Sequence, residues 1–444
     1  LLNRSLFIFW LPLLAIHILV LFYQSYQERW YLVDSYEYLA AAENMEENGS
    51  WYSKDREEAY DPAHHSRRTP LYPFLLMLSQ GLVDHPAFVA LWQIILSLFN
   101  IHLMLRILNE WRIPRRFRFV ILPFLLLLPA QYIYANLIMT EILFQTLLTA
   151  GIWIAFQALS KKQMKWFWIM SLLLMLAMLT KPVMYLFFLP YLILLGYLAF
   201  KWKKYLILLP ALLPLALVLI YQGINYQRTG YFHYSSVQSL NLLQLTAYNL
   251  LINRVGEEEA IKITDDIYQD ALQAPSFAKG QKLMQDRCLD IMWKYKGFYL
   301  VYHLKGMVNY FLDPGRFDLY HLLGIQKVGS EAGLSKSFSE GGYRAVWDYL
   351  QRQPLGILIF LSFVFMFNLI KALGFVGFLF YKKIPISFRL ALFVLVAYLA
   401  GVTGPYGASR FALPTALIVM AAAVAFYSRF WKKWERQRPL LPPK

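Results

Sequence analysis

Long apolar runs separated by short polar breaks dominate the chain. Runs near 6 to 23, 87 to 108, 117 to 135, 139 to 159 and 165 to 180 are followed by others near 183 to 200, 203 to 222, 354 to 380, 386 to 405 and 409 to 430. Each approaches the roughly 17 to 25 residues that a helix needs to cross about 30 Å of hydrocarbon. They predict an all-α polytopic membrane protein with about ten transmembrane helices. The first run reads as a span rather than a cleaved leader, because no small-residue cleavage site follows it and further spans do.

Two longer polar stretches interrupt the pattern, 24 to 86 and 223 to 353. In the first, Tyr38, Ala41, Ala42 and Met45 recur at helical spacing over 35 to 47, and Asn48 with Gly49 is a stop signal. This predicts a juxtamembrane helix lying at the interface. The second contains helical patterns such as EEEAIKITDDIYQDAL and AKGQKLMQDRCLDIMWKYKGFYLVYHL, and no run long enough to span. The chain therefore divides into an N-terminal membrane module (1–222), a mostly helical outer segment (223–353) and a C-terminal membrane module (354–444).

Composition agrees: 58% of residues are hydrophobic, 17% aromatic and only 16% charged, outside the range of soluble domains. The formal charge of +16 would suggest nucleic acid in a soluble protein, but here the basic residues cluster at the ends of apolar runs. Arg106, Arg112, Arg115, Arg116 and Arg118, then KKQMK, KWKK, YKK and the tail RFWKKWERQR, form one alternating set of short loops. By the positive-inside rule that set is cytoplasmic, both termini with it, and the two long polar stretches face outward. The single cysteine, Cys288, excludes an internal disulfide and a multi-cysteine metal site.

The outward set collects Asp34, His64, His65, Arg67, Arg68, Glu141, Lys181 and Arg410, each at or near the end of an apolar run. A carboxylate beside an acceptor can serve as general base, and arginine and lysine donors can hold a phosphate as negative charge is left on it. Arginine suits the second task because its planar fork meets phosphate oxygens in pairs. No GxGxxG loop, Walker loop or D-x-D pair occurs, so a nucleotide donor is not expected.

Short stretches recur in order: D-S-x-x-Y-x-x-A at Asp34–Ala41, R-T-P-x-Y-P at Arg68–Pro73, T-E-x-x-F at Thr140–Phe144 and L-T-K-P at Leu179–Pro182. NYQRTGYFHYSS at Asn225–Ser236 and SRFALP at Ser409–Pro414 complete the series. The whole resembles the GT-C integral membrane glycosyltransferases, in particular the branch similar to the aminoarabinose lipid A transferases and protein O-mannosyltransferases. That resemblance implies an inverting transferase in the plasma (inner) membrane, its site facing the periplasm or exterior. The donor would be a polyprenyl-phosphate sugar and the acceptor a lipid, glycan or protein. It implies catalytic roles for Asp34 and Glu141 and donor-phosphate contacts for Arg67, Arg68, Lys181 and Arg410. His64, His65, Tyr38 and Tyr72 are further substrate-contact candidates. No cofactor is required by this reading, although a divalent metal is compatible with it. The chain has RRTP where the aminoarabinose transferases carry a lysine before a proline pair, and Asp34-Ser35 where the mannosyltransferases carry an acidic pair, so the acceptor class stays open.

Each residue also has a plainer reading. Asp34 with Glu37 three residues on fits a capping box. The arginines could anchor spans at headgroups, and Glu141 could be an ordinary acidic first-turn residue. Two other functions fit basic outer residues: a polysaccharide polymerase or ligase with a diphosphate-linked donor, and a lipid-linked sugar flippase. A flippase predicts ionisable groups in the middle of spans, whereas the charges here gather at one end.

Overall fold

A computed structural model describes residues 2–114, 117–325, 342–345, 347–348, 350–351 and 353–437. The loop arginines Arg115 and Arg116 lie outside the described residues, as does 326–341. The described residues are helices and turns without a strand. Among the described residues, eight helical segments are long and apolar enough to cross a membrane, and large side chains such as Leu19, Phe22, Ile193, Phe200 and Leu355 point outward from them. A water-soluble fold would bury such side chains, so this is an all-α, multi-pass membrane protein.

Helix α1 (Leu2–Gln27) is followed by α2 (Val33–Asn48), α3 (Leu71–Leu82) and α4 (Pro86–Glu110). A helix forms over this stretch as α2, with Tyr38, Ala41 and Ala42 buried and Gly49 closing it at φ 62°. The apolar run 117 to 135 is not one helix. It divides into α5 (Phe117–Leu126) and α6 (Pro129–Ala135), because Pro129 has no N–H to continue the ladder and opens a new helix instead. Helix α7 (Glu141–Lys161) packs along α8 (Met164–Thr180), whose 17 residues fall just under the length of the other spans. A 3-10 turn, Pro182–Phe187, leads into α9 (Phe188–Trp202); another, Tyr205–Ala211, leads into α10 (Leu212–Thr229).

Helix α10 runs past 222 to Thr229 and ends on Gly230 at φ 69°. The segment that follows runs through α11 (Val237–Asn241), a π turn at Leu242–Ala247, α12 (Tyr248–Val255), α13 (Glu257–Leu272) and α14 (Phe277–Lys294). These enclose a small separate core of Leu243, Ala247, Ile267, Met284 and Cys288. Its last part behaves differently. Helices α15 (Lys296–Leu312) and α16 (Arg316–Leu323), joined at 313–315, pack on the membrane helices themselves. Gly306 lies so close to the turn Gly404–Tyr406 that a Cβ there would collide with the Gly404 carbonyl and Pro405, and Tyr310 Oη is 2.7 Å from Thr415 Oγ1. Helices α17 (Leu355–Phe378), α18 (Ile386–Thr403) and α19 (Ser409–Gln437) complete the fold.

Candidate functional site

Asp34 is the second residue of α2, Arg67 and Arg68 precede α3, Glu141 opens α7, Lys181 follows α8 and Arg410 is the second residue of α19. The fold brings these five places together into one alternating row of charge. Lys181 Nζ donates to Glu141 Oε1 at 2.9 Å, and Arg410 Nε donates to the same oxygen at 2.6 Å. Arg410 Nη2 reaches on to Asp34 Oδ2. Arg68 Nη2 donates to the other Asp34 oxygen at 2.7 Å, and its Nε to Glu37 Oε2 at 2.6 Å. Arg67 follows, 3.3 Å from Glu37 and 3.8 Å from Asp61. Four cations thus alternate with four carboxylates.

The row is not uniformly accessible. The Glu141 side chain is 0% exposed, whereas those of Arg410 and Asp34 are each 24%, Glu37 22% and Asp61 29% exposed, so the row is closed at Glu141 and opens from Arg410 toward Asp61. Burial alone would raise the Asp34 carboxyl, but Arg68 and Arg410 together outweigh it and hold the group well below the usual carboxylate range. Arg68 is likewise desolvated, yet Tyr38, Asp34 and Glu37 raise its pKa and keep it charged. Its guanidinium lies 4.9 Å from the centre of the Tyr38 ring, which stands edge-on to Tyr72.

Asp34 does not cap α2. Leu32 is the N-cap, and Ser35 Oγ accepts the Leu32 N–H at 2.9 Å, which leaves the Asp34 carboxylate free to face the arginines. Glu37, which sequence reasoning took for the far end of a capping box, stands one turn from Asp34 on the same helix face and binds both Arg67 and Arg68. Asp61, which the sequence does not distinguish from the other acids of 24–86, caps the turn Pro62–His65 and ends the row.

The remaining candidates take other places. His64 is buried, its Nδ1 3.0 Å from the Ser53 carbonyl, so it pins the loop between α2 and α3. His65 lies beside Tyr52 and Tyr60. Tyr72 is fully enclosed and donates to Gln93 Oε1 at 3.0 Å. No group of three or more His, Cys, Asp or Glu arranged to hold a metal occurs among the described residues. The row's carboxylates are already neutralised by arginine and lysine, so as a donor set they do not fit a divalent cation.

A second layer, unread in the sequence, supports Arg410. Between α15 and α16, Asp313 Oδ2 accepts the Ser409 N–H at 2.7 Å. Asp318 accepts from Ser409 Oγ and, at 2.7 Å, from Tyr134 Oη. Two carboxylates at the first turn of α19 also suit the positive end of its helix dipole. Below the row, Gln131, Gln145, Asn100, Ser97 and His17 hydrogen-bond to one another between α1, α4, α6 and α7. Such bonds hold helices together where lipid provides no hydrophobic drive.

The class that fold and site define is an all-α multi-pass membrane protein with a partly open ionic row where several helix ends meet. The chain matches no family model, no curated protein and no solved structure.

Proposed function

We propose that the protein is an inverting glycosyltransferase that uses a polyprenyl-phosphate-linked sugar at the outer face of the membrane. The observation that carries this reading is Asp34 held between Arg68 and Arg410. Guanidinium groups arranged around one carboxylate also suit a phosphate, and phosphate binding would draw them away from Asp34. The carboxylate would then recover basicity as the donor arrives. The acceptor oxygen attacks the anomeric carbon, its proton passes to Asp34, and the anomeric carbon–oxygen bond breaks with its electron pair going to the phosphate oxygen. Arg68 and Arg410 stabilise that charge, with Lys181 and Arg67 at the flanks. A single displacement inverts the configuration.

A lipid tail has a place beside this centre. An apolar cavity of about 560 Å³ lies between α7, α8, α9 and α18. It is lined by Leu147, Ala177 and Met184 at the end nearer the ionic row and Ser387 and Leu390 at the far end. Leu147 is about 9 Å along α7 from Glu141. In this reading α5–α6 together and α8 also cross the membrane, giving ten passes with both termini cytoplasmic. The row joins the last residues of outward passes to the first residues of inward ones, as that arrangement requires.

Binding of a polyprenyl phosphate to the purified protein tests the reading. Arg68→Ala and Arg410→Ala should each weaken it about 10- to 150-fold, the equivalent of roughly 1.5 to 3 kcal/mol for a charge-assisted bond, and lysine should restore only part. Asp34→Asn should bind donor normally while turnover falls about 100-fold or more. Unchanged affinity in both arginine variants would remove phosphate from the account.

A further inference from the structure

Helix α15 begins and ends in different surroundings. Around its start, Lys296 Nζ lies 4.4 Å from the centre of the Trp293 ring, and the Arg254 guanidinium lies 4.0 Å from that of Phe298, which stacks on Tyr302. Cations beside aromatic rings are the composition of a membrane–water interface. Further along, α15 crosses the turn between α18 and α19 so closely that a Cβ on Gly407 would strike the Gly306 carbonyl, and Asn309 Nδ2 donates to the Gly407 carbonyl. That turn lies where the apolar stretches Ile386–Tyr406 and Ser409–Phe430 end and begin. From Gly306 to Leu312 the helix carries no charged residue.

Its last turn reaches inside the length of those stretches. Tyr310 meets Thr415, which is about 9 Å along α19 from Ser409, and the Phe311 ring lies 6.3 Å from that of Phe375 within α17. Helix α16 then leads back, because Arg29, just past the end of α1, donates to the Leu322 carbonyl at 3.0 Å. The join at 313–315 is therefore non-helical backbone at the depth of the spans, which a bilayer permits only where protein satisfies its polar groups. Helix α17 does so from within its apolar length. Asn368 Nδ2 donates to the Asp313 carbonyl at 2.9 Å, and Lys371 Nζ donates to Asn368 Oδ1 at 2.8 Å, so the lysine stands by the negative end of the α15 dipole. The Gly315 N–H donates to Asp313 Oδ1 at 3.2 Å.

The free face of α15 is apolar. Leu300, Val301, Leu304 and Val308 are 58, 65, 51 and 57% exposed, whereas α13 turns Glu258, Lys262, Asp265 and Asp266 outward. We propose that α15 and α16 form a re-entrant element that dips into the bilayer from the end carrying the ionic row, with Leu300, Val301 and Leu304 at the boundary of headgroups and acyl chains and Val308 among the chains. Lipid is the occupant because α17 and α18, against which α15 packs, expose side chains of the same kind in Phe363, Met366 and Val402. Lys305 fits this placement, since it sits beside Gly306, level with the turn between α18 and α19, and so at the interface rather than in hydrocarbon. The tip of the element is Asp313, which holds the first turn of α19 and with it Arg410, so the bilayer bears on the row through α15.

Spin labels on the full chain in phospholipid nanodiscs test this, whatever the protein's activity. Leu304→Cys and Val308→Cys are compared with Phe363→Cys in α17 and Lys262→Cys in α13; Cys288 is buried, and the unsubstituted protein measures its background. In power-saturation measurements the label at 308 should collide more with oxygen, which concentrates in lipid, than with a water-soluble nickel chelate, as the label at 363 does. The ratio should rise from 304 to 308 and be reversed at 262. A nickel chelate favoured at both α15 positions, or both reagents excluded there by covering protein, overturns the proposal. A second measurement needs no label: Val308→Asp should lower the melting temperature in nanodiscs by roughly 4 °C or more, because it places a carboxylate among acyl chains, while Ile261→Asp on α13 should leave it unchanged. Equal melting of Val308→Asp and the parent would likewise overturn it.

Discussion

At the scale of single residues, the ionic row is a set of buried charges each of which depends on its neighbours. Glu141 carries two cations on one oxygen, so Glu141→Gln leaves Lys181 and part of Arg410 uncompensated. Breaking a buried pair from one side costs about 3 to 5 kcal/mol, and the expected drop in thermal stability should be partly reversed by the double change Glu141→Gln with Lys181→Met. A double variant no more stable than the single one would count against a direct coupling. Asp318 behaves in the opposite way. Burial raises its pKa from 3.8 to about 6 against the opposing bonds from Ser409 and Tyr134. Its ionised form is therefore disfavoured by folding. That penalty is absent well below the unfolded value, grows as pH rises from about 4 to about 6, and reaches about 3 kcal/mol above the folded value. Asp318→Asn should consequently stabilise the protein more at pH 8 than at pH 4.5, read from melting curves at the two pH values. An equal effect at both would show that Asp318 keeps an ordinary pKa.

At the scale of elements, α15 and α16 act on the site from a distance. They hold the first turn of α19 through Asp313 and Asp318, and the seat of α15 depends on the close approach at Gly306. Gly306→Val puts a branched side chain against backbone that cannot give way, so a loss of about 1 to 3 kcal/mol is expected, with weaker donor binding as Arg410 shifts. Gly297→Ala in the same helix meets nothing within 4 Å and should be neutral or slightly stabilising. Donor binding as strong in Gly306→Val as in the parent would detach α15 from the site. The helix α2 was visible in the sequence because its apolar period and its stop signal are local. The docking of α15 was not, because α15 carries a polar neighbourhood and no spanning run; only its contacts with Gly404 and Thr415 place it among the membrane helices.

At the scale of the whole molecule, the sidedness of the chain is open to direct measurement. With buried Cys288 as the only native thiol, a cysteine placed at Glu258 should react with an impermeant reagent from outside, and one at Lys162 only after permeabilisation. The reverse result would put the ionic row on the cytoplasmic face and remove the lipid-linked donor from the proposal. The membrane-spanning character, the positions of most helices and the ends at which charges gather were determined by the sequence itself. Those properties depend on the composition of contiguous segments and the thickness of a bilayer, and need no knowledge of neighbours. Which charges meet was decided only by tertiary structure. Asp34 and Arg410 are separated by nearly the whole chain, and Glu37 and Asp61 look like any other acids in an acidic loop. Pairing between distant segments depends on how helices pack, and the same local pattern serves a capping box, a headgroup anchor or a phosphate clamp until packing places a partner beside it.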